Sequence, residues 1–386
     1  MGYSKTILQR GVWTTLLVSN LAMANFYADG RTTGMGGTGV ASGNYLSSGF
    51  LNPALLANFG PDDDFGLLLP SIGLRASDKD ESISTIMDLQ DDFEGLGDSS
   101  SQESIDAFAT DLNSLSGNTP VAIEASVGAA LAIPFDVVSI GLFSRNYVNV
   151  IAITDIKKAS LGSGWSEVEK TYQDSTASMV GVGVLDVGVT FAKKFDLDGY
   201  ALSVGVSPKF QQLHSFYSMS TLDDFELSDY DESSTKENTF NIDFGLLYQW
   251  KEISVGLSAI DLISQKIDTL EVAGKSHRYN IDPKVTLGAA YQLKYFTFAI
   301  DADLTKQTRL EGVDDDTQFV RFGFEGDLFH WAQLRLGYEH NLEQSLQDSV
   351  TAGIGFSPFD VVHLDISAAY ADETQASIGA NLSLTF

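Results

Sequence analysis

The chain has 386 residues, no cysteine, 52 acidic residues against 23 basic ones, and a formal net charge of -29. Such an acidic chain is a poor match for phosphate backbones, so its charge argues against a nucleic acid partner. Beyond residue 24 there is no apolar run of eighteen residues. This excludes a membrane-spanning helix, and only a β-barrel, or no membrane at all, remains.

The first 24 residues have the pattern of a secretory signal peptide. Lys5 and Arg10 precede an apolar stretch at 12–21, and Ala22-Met23-Ala24 follows as an A-x-A cleavage site. An uncleaved anchor is the alternative, but the apolar stretch is too short to span a bilayer. We therefore predict export, with cleavage after Ala24.

The glycine-dense segment 25–64 precedes the first predicted strand. It contains Gly34-Met35-Gly36-Gly37-Thr38-Gly39 and then Asn52-Pro53-Ala54-Leu55-Leu56. Glycine can adopt positive φ and lets a backbone lie close to a wall. Pro53 fixes a turn that the Asn52 side chain can help close. The segment is therefore suited to a tightly folded plug.

Segments that alternate with a period of two, bounded by turn residues, number about fourteen. They are predicted at 65–76, 121–133, 137–155, 176–194, 200–222, 238–250, 253–263, 283–293, 296–309, 318–328, 332–343, 349–357, 361–372 and 375–386. The connections alternate between long and short, as in bacterial barrels with long external loops and short periplasmic turns. The pattern predicts an all-β fold, an outer-membrane β-barrel of about fourteen antiparallel strands over 65–386, rather than a soluble sandwich.

The longest connection, 77–120, is strongly acidic and is predicted to be a partly helical external loop. Its apolar residues recur at helical spacing and could line a groove; they are Ile83, Ile86, Met87, Leu89, Phe93, Ile105, Phe108 and Leu112. Another acidic run, Asp314-Asp315-Asp316, could hold calcium loosely, but a solvated loop tip is the favoured interpretation.

The alternation also assigns the two faces of the wall. An ionised group facing lipid near the midplane costs about 2–4 kcal/mol, so charged side chains should point inward. The predicted lumen-lining residues are Asp301, Asp303, Arg321, Glu325, Asp327, Arg335, Glu339, His363 and Asp365. These charges could line a permeation path, or they could pair with one another and fill the interior, which is the interpretation that we favour.

The last strand ends on an aromatic residue. Leu382, Leu384 and the terminal Phe386 share one face of this strand. The arrangement resembles the C-terminal signal that the barrel-assembly machinery recognises. These three residues are therefore the predicted assembly signal.

The glycines and the Asn-Pro-Ala motif, followed by about fourteen strands, resemble the long-chain fatty-acid transporter (FadL-like) barrel superfamily. With Asp62-Asp63-Asp64-Phe65-Gly66-Leu67-Leu68-Leu69-Pro70, they resemble the conjugal-transfer TraF-like barrel family more closely. The resemblance implies that 25–64 is a hatch inside the lumen. Its implied motif residues are Gly34, Gly36, Gly37, Asn52, Pro53 and Ala54.

Several motifs that suggest chemistry lack the necessary context. Gly34-x-Gly36-x-x-Gly39 follows no strand and opens no βαβ unit, which argues against a dinucleotide site. The five histidines show no metal-ligand spacing, and no metal or cofactor is expected. His363, close to Asp365, is the one candidate for the histidine of an outer-membrane lipase site, but no Gly-x-Ser-x-Gly motif accompanies it. We therefore predict that the protein is not an enzyme.

Three hypotheses for function remain. The first, from the resemblance, is a non-enzymatic outer-membrane component associated with plasmid transfer. The alternative is a FadL-type passive transporter of long-chain fatty acids or other hydrophobic small molecules, and the third is a lipid-modifying enzyme. The expected location is the outer membrane of a Gram-negative bacterium. Expected partners are membrane lipid and lipopolysaccharide, the barrel-assembly machinery, and either hydrophobic small molecules or transfer-apparatus proteins.

Overall fold

The computed structural model describes residues 29–61, 63–225, 234–328, 331–358 and 361–386. The predicted signal peptide, residues 25–28 and Asp62 lie outside the described residues. Among the described helices, none combines the length and the apolar character that crossing a bilayer would require.

Fourteen strands form one closed antiparallel barrel, which confirms the predicted fold class. Two further strands, β8 and β9, form a separate small sheet. In chain order the strands are β1 (Gly66–Ser77), β2 (Val121–Ile133), β3 (Ser139–Asp155), β4 (Thr176–Leu197), β5 (Tyr200–Thr221), β6 (Ser234–Trp250), β7 (Ile253–Ile260), β8 (Gln265–Asp268), β9 (Arg278–Ile281), β10 (Lys284–Gln292), β11 (Phe296–Asp303), β12 (Phe319–Leu328), β13 (Ala332–Asn341), β14 (Ser349–Phe356), β15 (Val362–Asp372) and β16 (Gln375–Thr385).

The first and last strands close the barrel. β1 pairs with β16 from Gly66, opposite Thr385, to Ser77, opposite Gln375. The register shifts between Leu68 and Ser71 on both edges of β1, where Pro70 has no N–H to donate. The ring of Phe386 stacks on Phe65 with 4.7 Å between centroids. The two ends of the barrel sequence therefore meet at the end of the short turns, which is the periplasmic end.

The two faces of the wall differ sharply in exposure. Leu336 on the outer face is 58% exposed, whereas the preceding residue, Arg335, is 4% exposed on the inner face. The same contrast holds for Phe322 and Arg321 on β12. Apolar side chains therefore cover the outside of the wall, as expected of a barrel that faces lipid.

Four α-helices and two 3-10 helices, Tyr45–Ser47 and Pro53–Ala57, accompany the strands in the described part of the chain. α1 (Gly30–Gly34) precedes the barrel, α2 (Ser82–Phe93) and α3 (Gln102–Ser114) lie in the longest loop, and α4 (Trp165–Gln173) lies between β3 and β4. The predicted strands left 156–175 only as a connection, so α4 was not predicted.

The external helices pack together into a cap. The rings of Phe93 and Tyr172 lie 4.7 Å apart, and those of Phe108 and Trp165 lie 5.5 Å apart. This apolar cluster also includes Met179 of β4. The regularly spaced apolar residues of the longest loop thus form mainly a core under the helices, instead of lining an open groove.

Two segments differ from the predicted strands. The connection 264–282 was expected to be a loop, but it contains β8 and β9. β11 was expected to continue to residue 309 but ends at Asp303. Beyond Asp303 the Thr305 hydroxyl donates a hydrogen bond to the carbonyl oxygen of Pro283 at 3.0 Å.

Candidate functional site

Residues 29–61, which we call the hatch, form hydrogen bonds with several strands of the barrel wall. The carboxylate of Asp29 caps α1 by accepting a hydrogen bond from the Thr32 amide at 2.6 Å. Burial raises the pKa of Asp29 above its ordinary value, while the hydrogen bonds from Thr32 act in the opposite direction. The next amide, Gly30 N, donates to Asn381 Oδ1 at 2.7 Å. A hydrogen bond therefore joins the start of the described hatch to β16.

The glycine turn of the hatch touches the barrel wall backbone to backbone. Gly36 and Gly37 have φ values of 65° and 77°, which favour glycine. A Cβ added at Gly36 would lie 2.6 Å from Phe322 O, and one added at wall residue Gly337 would lie 2.1 Å from Gly36 N. The contact therefore requires glycine on both sides.

The Asn-Pro-Ala motif occupies a second close contact. Asn52 Oδ1 accepts a hydrogen bond from Ala54 N at 3.0 Å, and its Nδ2 donates to Leu246 O of β6 at 3.1 Å. A Cβ added at Gly245 would lie 1.9 Å from Asn52 Oδ1, and one added at Gly205 would lie 2.2 Å from the carbonyl carbon of Pro53. Two wall glycines thus make room for the motif. The six hatch residues named from the sequence, Gly34, Gly36, Gly37, Asn52, Pro53 and Ala54, are all buried.

A chain of ion pairs joins the hatch to three strands. Arg31 donates to both oxygens of Glu325, from Nε at 2.9 Å and from Nη2 at 2.8 Å. Arg335 Nε donates to the same carboxylate at 2.7 Å, and its Nη1 donates to Asp365 Oδ1 at 2.6 Å. Because these groups share partners, the inward charges of this region are neutralised internally.

A second group of inward charges pairs around Asp303 and Glu339. Both terminal nitrogens of Arg321 donate to Asp303, at 2.8 and 3.0 Å. Glu339 accepts from Arg75 at 2.5 Å. Asp301 instead binds the hatch, because its Oδ2 accepts from the Gly39 and Val40 amides at 2.8 and 3.0 Å.

The remaining predicted lumen residues lie toward the periplasmic end. Gln333 Nε2 approaches Asp327 Oδ1 at 3.4 Å, and His363 Nε2 lies 3.0 Å from Thr385 Oγ1. His363 therefore contacts a threonine, while Asp365 is engaged by Arg335, so the structure does not join them into a catalytic pair. The predicted assembly residues Leu382, Leu384 and Phe386 lie at the end of β16 and just beyond it. Within the described residues, no group of three or more histidine, aspartate or glutamate side chains is arranged to hold a metal ion.

A deeply buried charge cluster was not predicted from the sequence. Lys209 is fully buried, and its Nζ lies 2.7 Å from Asp261, 2.9 Å from Asp243 and 3.4 Å from Asp186. Arg145 Nη2 donates to Asp186 at 2.6 Å. Small or polar residues alternate with mostly apolar ones around Lys209 on β5. This pattern could have placed Lys209 on the inner face.

The external half of the lumen is filled by two segments, 261–283 and 304–317, which we call the lid. They join where Asn280 N donates to Arg309 O at 2.7 Å and Glu311 N donates to Arg278 O at 3.1 Å. Apolar lid residues pack against the inner wall in one cluster, which includes Ile267, Tyr279, Leu310, Tyr147, Leu213 and Tyr217. Burial raises the pKa of the Tyr279 hydroxyl to about 12. Apolar packing therefore holds the lid against the inner wall.

Between hatch and lid lies a cavity of about 60 Å³. Its charged lining residues are Arg145, Lys284, Arg309, Arg321, Asp261, Asp282 and Asp301. At 10–15 Å³ for each molecule, this space would hold about four to six waters. Such a small, charged cavity cannot admit a long hydrocarbon chain without movement of the hatch or the lid.

The family model described as "F plasmid transfer operon, TraF, protein" matches residues 49–303, which is more than half of the chain. No curated protein sequence matches the chain.

Several solved transporter structures share the fold. The toluene transporter TbuX of Ralstonia pickettii has 13% identity and a TM-score of 0.55, covering 93% of this chain and 98% of its own. A FadL homologue of Pseudomonas aeruginosa has 13% identity and a TM-score of 0.53, with 95% and 99% covered. The CymD monoaromatic hydrocarbon channel has 11% identity and a TM-score of 0.54, with 93% and 97% covered. At these identities the likeness concerns the fold alone.

Proposed function

The chain belongs to the family of the F plasmid transfer operon protein TraF, and from this premise we propose that it is a non-enzymatic outer-membrane component that supports plasmid transfer from a donor cell. The observation that carries this proposal is the filled lumen. The hatch, the lid and the paired inward charges occupy the interior, and the cavity between hatch and lid measures only about 60 Å³. A barrel filled in this way is suited to anchoring an external surface, and the cap of α2, α3 and α4 supplies one.

Location in the outer membrane follows from the closed barrel and its apolar outer face. We propose that the signal peptide is cleaved after Ala24 and that the barrel-assembly machinery recognises Leu382, Leu384 and Phe386. Mass spectrometry of the protein purified from membranes tests the first point, because the mature chain should begin at Asn25. An intact N-terminus would contradict cleavage.

Deletion of the gene in a donor strain tests the role in transfer. Mating frequency should fall, and the wild-type gene supplied in trans should restore it. Deletion in the recipient alone is the matched control and should leave the frequency unchanged. An unchanged frequency after deletion in the donor would remove the proposed role.

Passive transport of fatty acids or other hydrophobic small molecules is a second candidate. The fold shared with hydrocarbon channels and the hatch inside the lumen favour it. The charged cavity opposes it, because hydrocarbon gains nothing from contact with ionised groups. Uptake of labelled fatty acid by a transporter-null host separates the two functions. Restored uptake would support transport, whereas absent uptake despite surface expression would count against it.

A further inference from the structure

The membrane-facing wall of β7 and β10–β13 contains an apolar groove of about 730 Å³. The small Ala289 forms part of its floor, while Tyr291, Phe298 and Phe322 are among the large residues beside it. Tyr291 pairs with Phe298 across β10 and β11, and Ala289 pairs with Ile300. The volume lies within the range of roughly 300–1,000 Å³ that is typical of ligand pockets. The wall therefore offers a shaped recess on a face that otherwise contacts bulk lipid.

The periplasmic end of this groove carries two lysines on adjacent turns. The turn before β7 contains Lys251, and the turn after β10 contains Lys294. The turns are neighbours because Gln292 N donates to Glu252 O at 2.7 Å. Lys251 Nζ lies 4.9 Å from the centre of the Trp250 ring.

Lys294 repeats this arrangement with the ring of Tyr295, also at 4.9 Å. Both lysines and both aromatic residues are exposed. Amphipathic aromatic rings are typical of the interface between lipid and water, and long cationic side chains reach from there to the headgroups. The two turns thus present positive charge at headgroup depth, directly below the groove.

We propose that this surface binds an anionic phospholipid of the periplasmic leaflet. Its phosphate lies between Lys251 and Lys294, and one acyl chain lies in the groove across Tyr291 and Phe298. Charge complementarity favours an anionic lipid over a zwitterionic one, because a net negative headgroup gains more from two lysines. Glu252 is the acidic residue of these turns, and it leaves them with a net positive charge in a chain of net charge -29.

The groove lies behind the wall that the hatch touches from inside. Its lining includes Gly323 and Gly337, which are close to the hatch turn at Gly36. The wall here has no side chain between hatch and groove at these two positions. A bound acyl chain would therefore support the thinnest part of the wall from the membrane side.

Native mass spectrometry of the purified full-length barrel tests the proposal, with phosphatidylglycerol and phosphatidylethanolamine as probes. The wild-type protein should retain phosphatidylglycerol preferentially. The Lys251→Gln/Lys294→Gln variant should lose this preference, with binding weakened about five-fold for each lysine removed. Ala289→Phe fills the groove and should weaken the binding of both lipids.

Two matched variants serve as controls. Lys266→Gln/Lys275→Gln removes two exposed lysines of the lid, and Ala368→Phe adds a ring on the outer face of β15. Both should bind lipid as the wild type does. Heat-modifiable migration on gels verifies that each variant is folded.

Equal retention of the two lipids by the wild-type protein would overturn the proposal, even if a variant failed to fold. If the test variants and the control variants lost lipid binding to the same extent, the proposal would be overturned as well. These outcomes are independent of plasmid transfer and of fatty acid uptake.

Discussion

Replacing Lys209 with methionine would remove the cation at the centre of the buried cluster. Three carboxylates lie within 3.4 Å of its Nζ, and Arg145 contacts only one of them, Asp186, in a hydrogen bond. The variant would leave Asp243 and Asp261 buried without the lysine. Breaking a buried ion pair by removing one partner costs about 3–5 kcal/mol. We expect a loss of this size in the free energy of unfolding.

Urea unfolding in lipid vesicles, followed by tryptophan fluorescence, measures this loss. Lys266→Met is the matched control, because Lys266 pairs with Glu311 at 3.3 Å while its side chain remains 56% exposed. An exposed pair contributes about 0–1 kcal/mol.

Hydrogen exchange gives a second measurement on the same variant. Asp261 is the first residue of the lid, so the loss of Lys209 should speed exchange in 261–283 more than in the hatch. A loss no larger than that of Lys266→Met, with unchanged exchange in the lid, would refute the view that this cluster holds the lid in place.

The other predictions concern the hatch and the lid. Gly337→Ala should cost about 1–3 kcal/mol in urea unfolding, because its Cβ would lie 2.1 Å from Gly36 N; a neutral result would contradict the close contact. Burial raises the pKa of Asp315 to about 6, so its contribution to lid stability is complete below about pH 4 and is lost as pH rises through 6. The hydrogen-exchange rate of the Leu310 amide, corrected for its intrinsic pH dependence, should therefore rise between about pH 4 and pH 6. Asp315→Asn should abolish this rise. Arg31→Ala should speed proteolysis within the hatch, and unchanged cleavage would show that its pair with Glu325 is dispensable.

The barrel could be predicted because lipid requires each strand to have an apolar outer face and to point its charged side chains inward. Apolar Phe322 and charged Arg321 are neighbours in sequence, and only one arrangement places the charge away from lipid. The same rule places Asp301 and Arg335 on the inner face, where the structure buries them. The strands could thus be derived from local alternation alone.

The pairing of these inward residues could not be derived in the same way. Arg335 contacts Glu325 and Asp365 only through the register of three strands, and Arg31 joins them only because the hatch enters the lumen. β8 and β9 were missed for a related reason. Each has four residues, too few for a periodic pattern, and their pairing depends on packing against the inner wall.

The seam between β1 and β16 has a consequence for the order of assembly. It joins residues that lie 298 to 319 positions apart, so it is the strand pairing with the largest loop to close, and it depends on the C-terminal residues. The hatch leads directly into β1 and is enclosed by all sides of the ring. The N-terminal segment must therefore enter the lumen before β1 pairs with β16. The stacking of Phe386 on Phe65 then stabilises the closed seam.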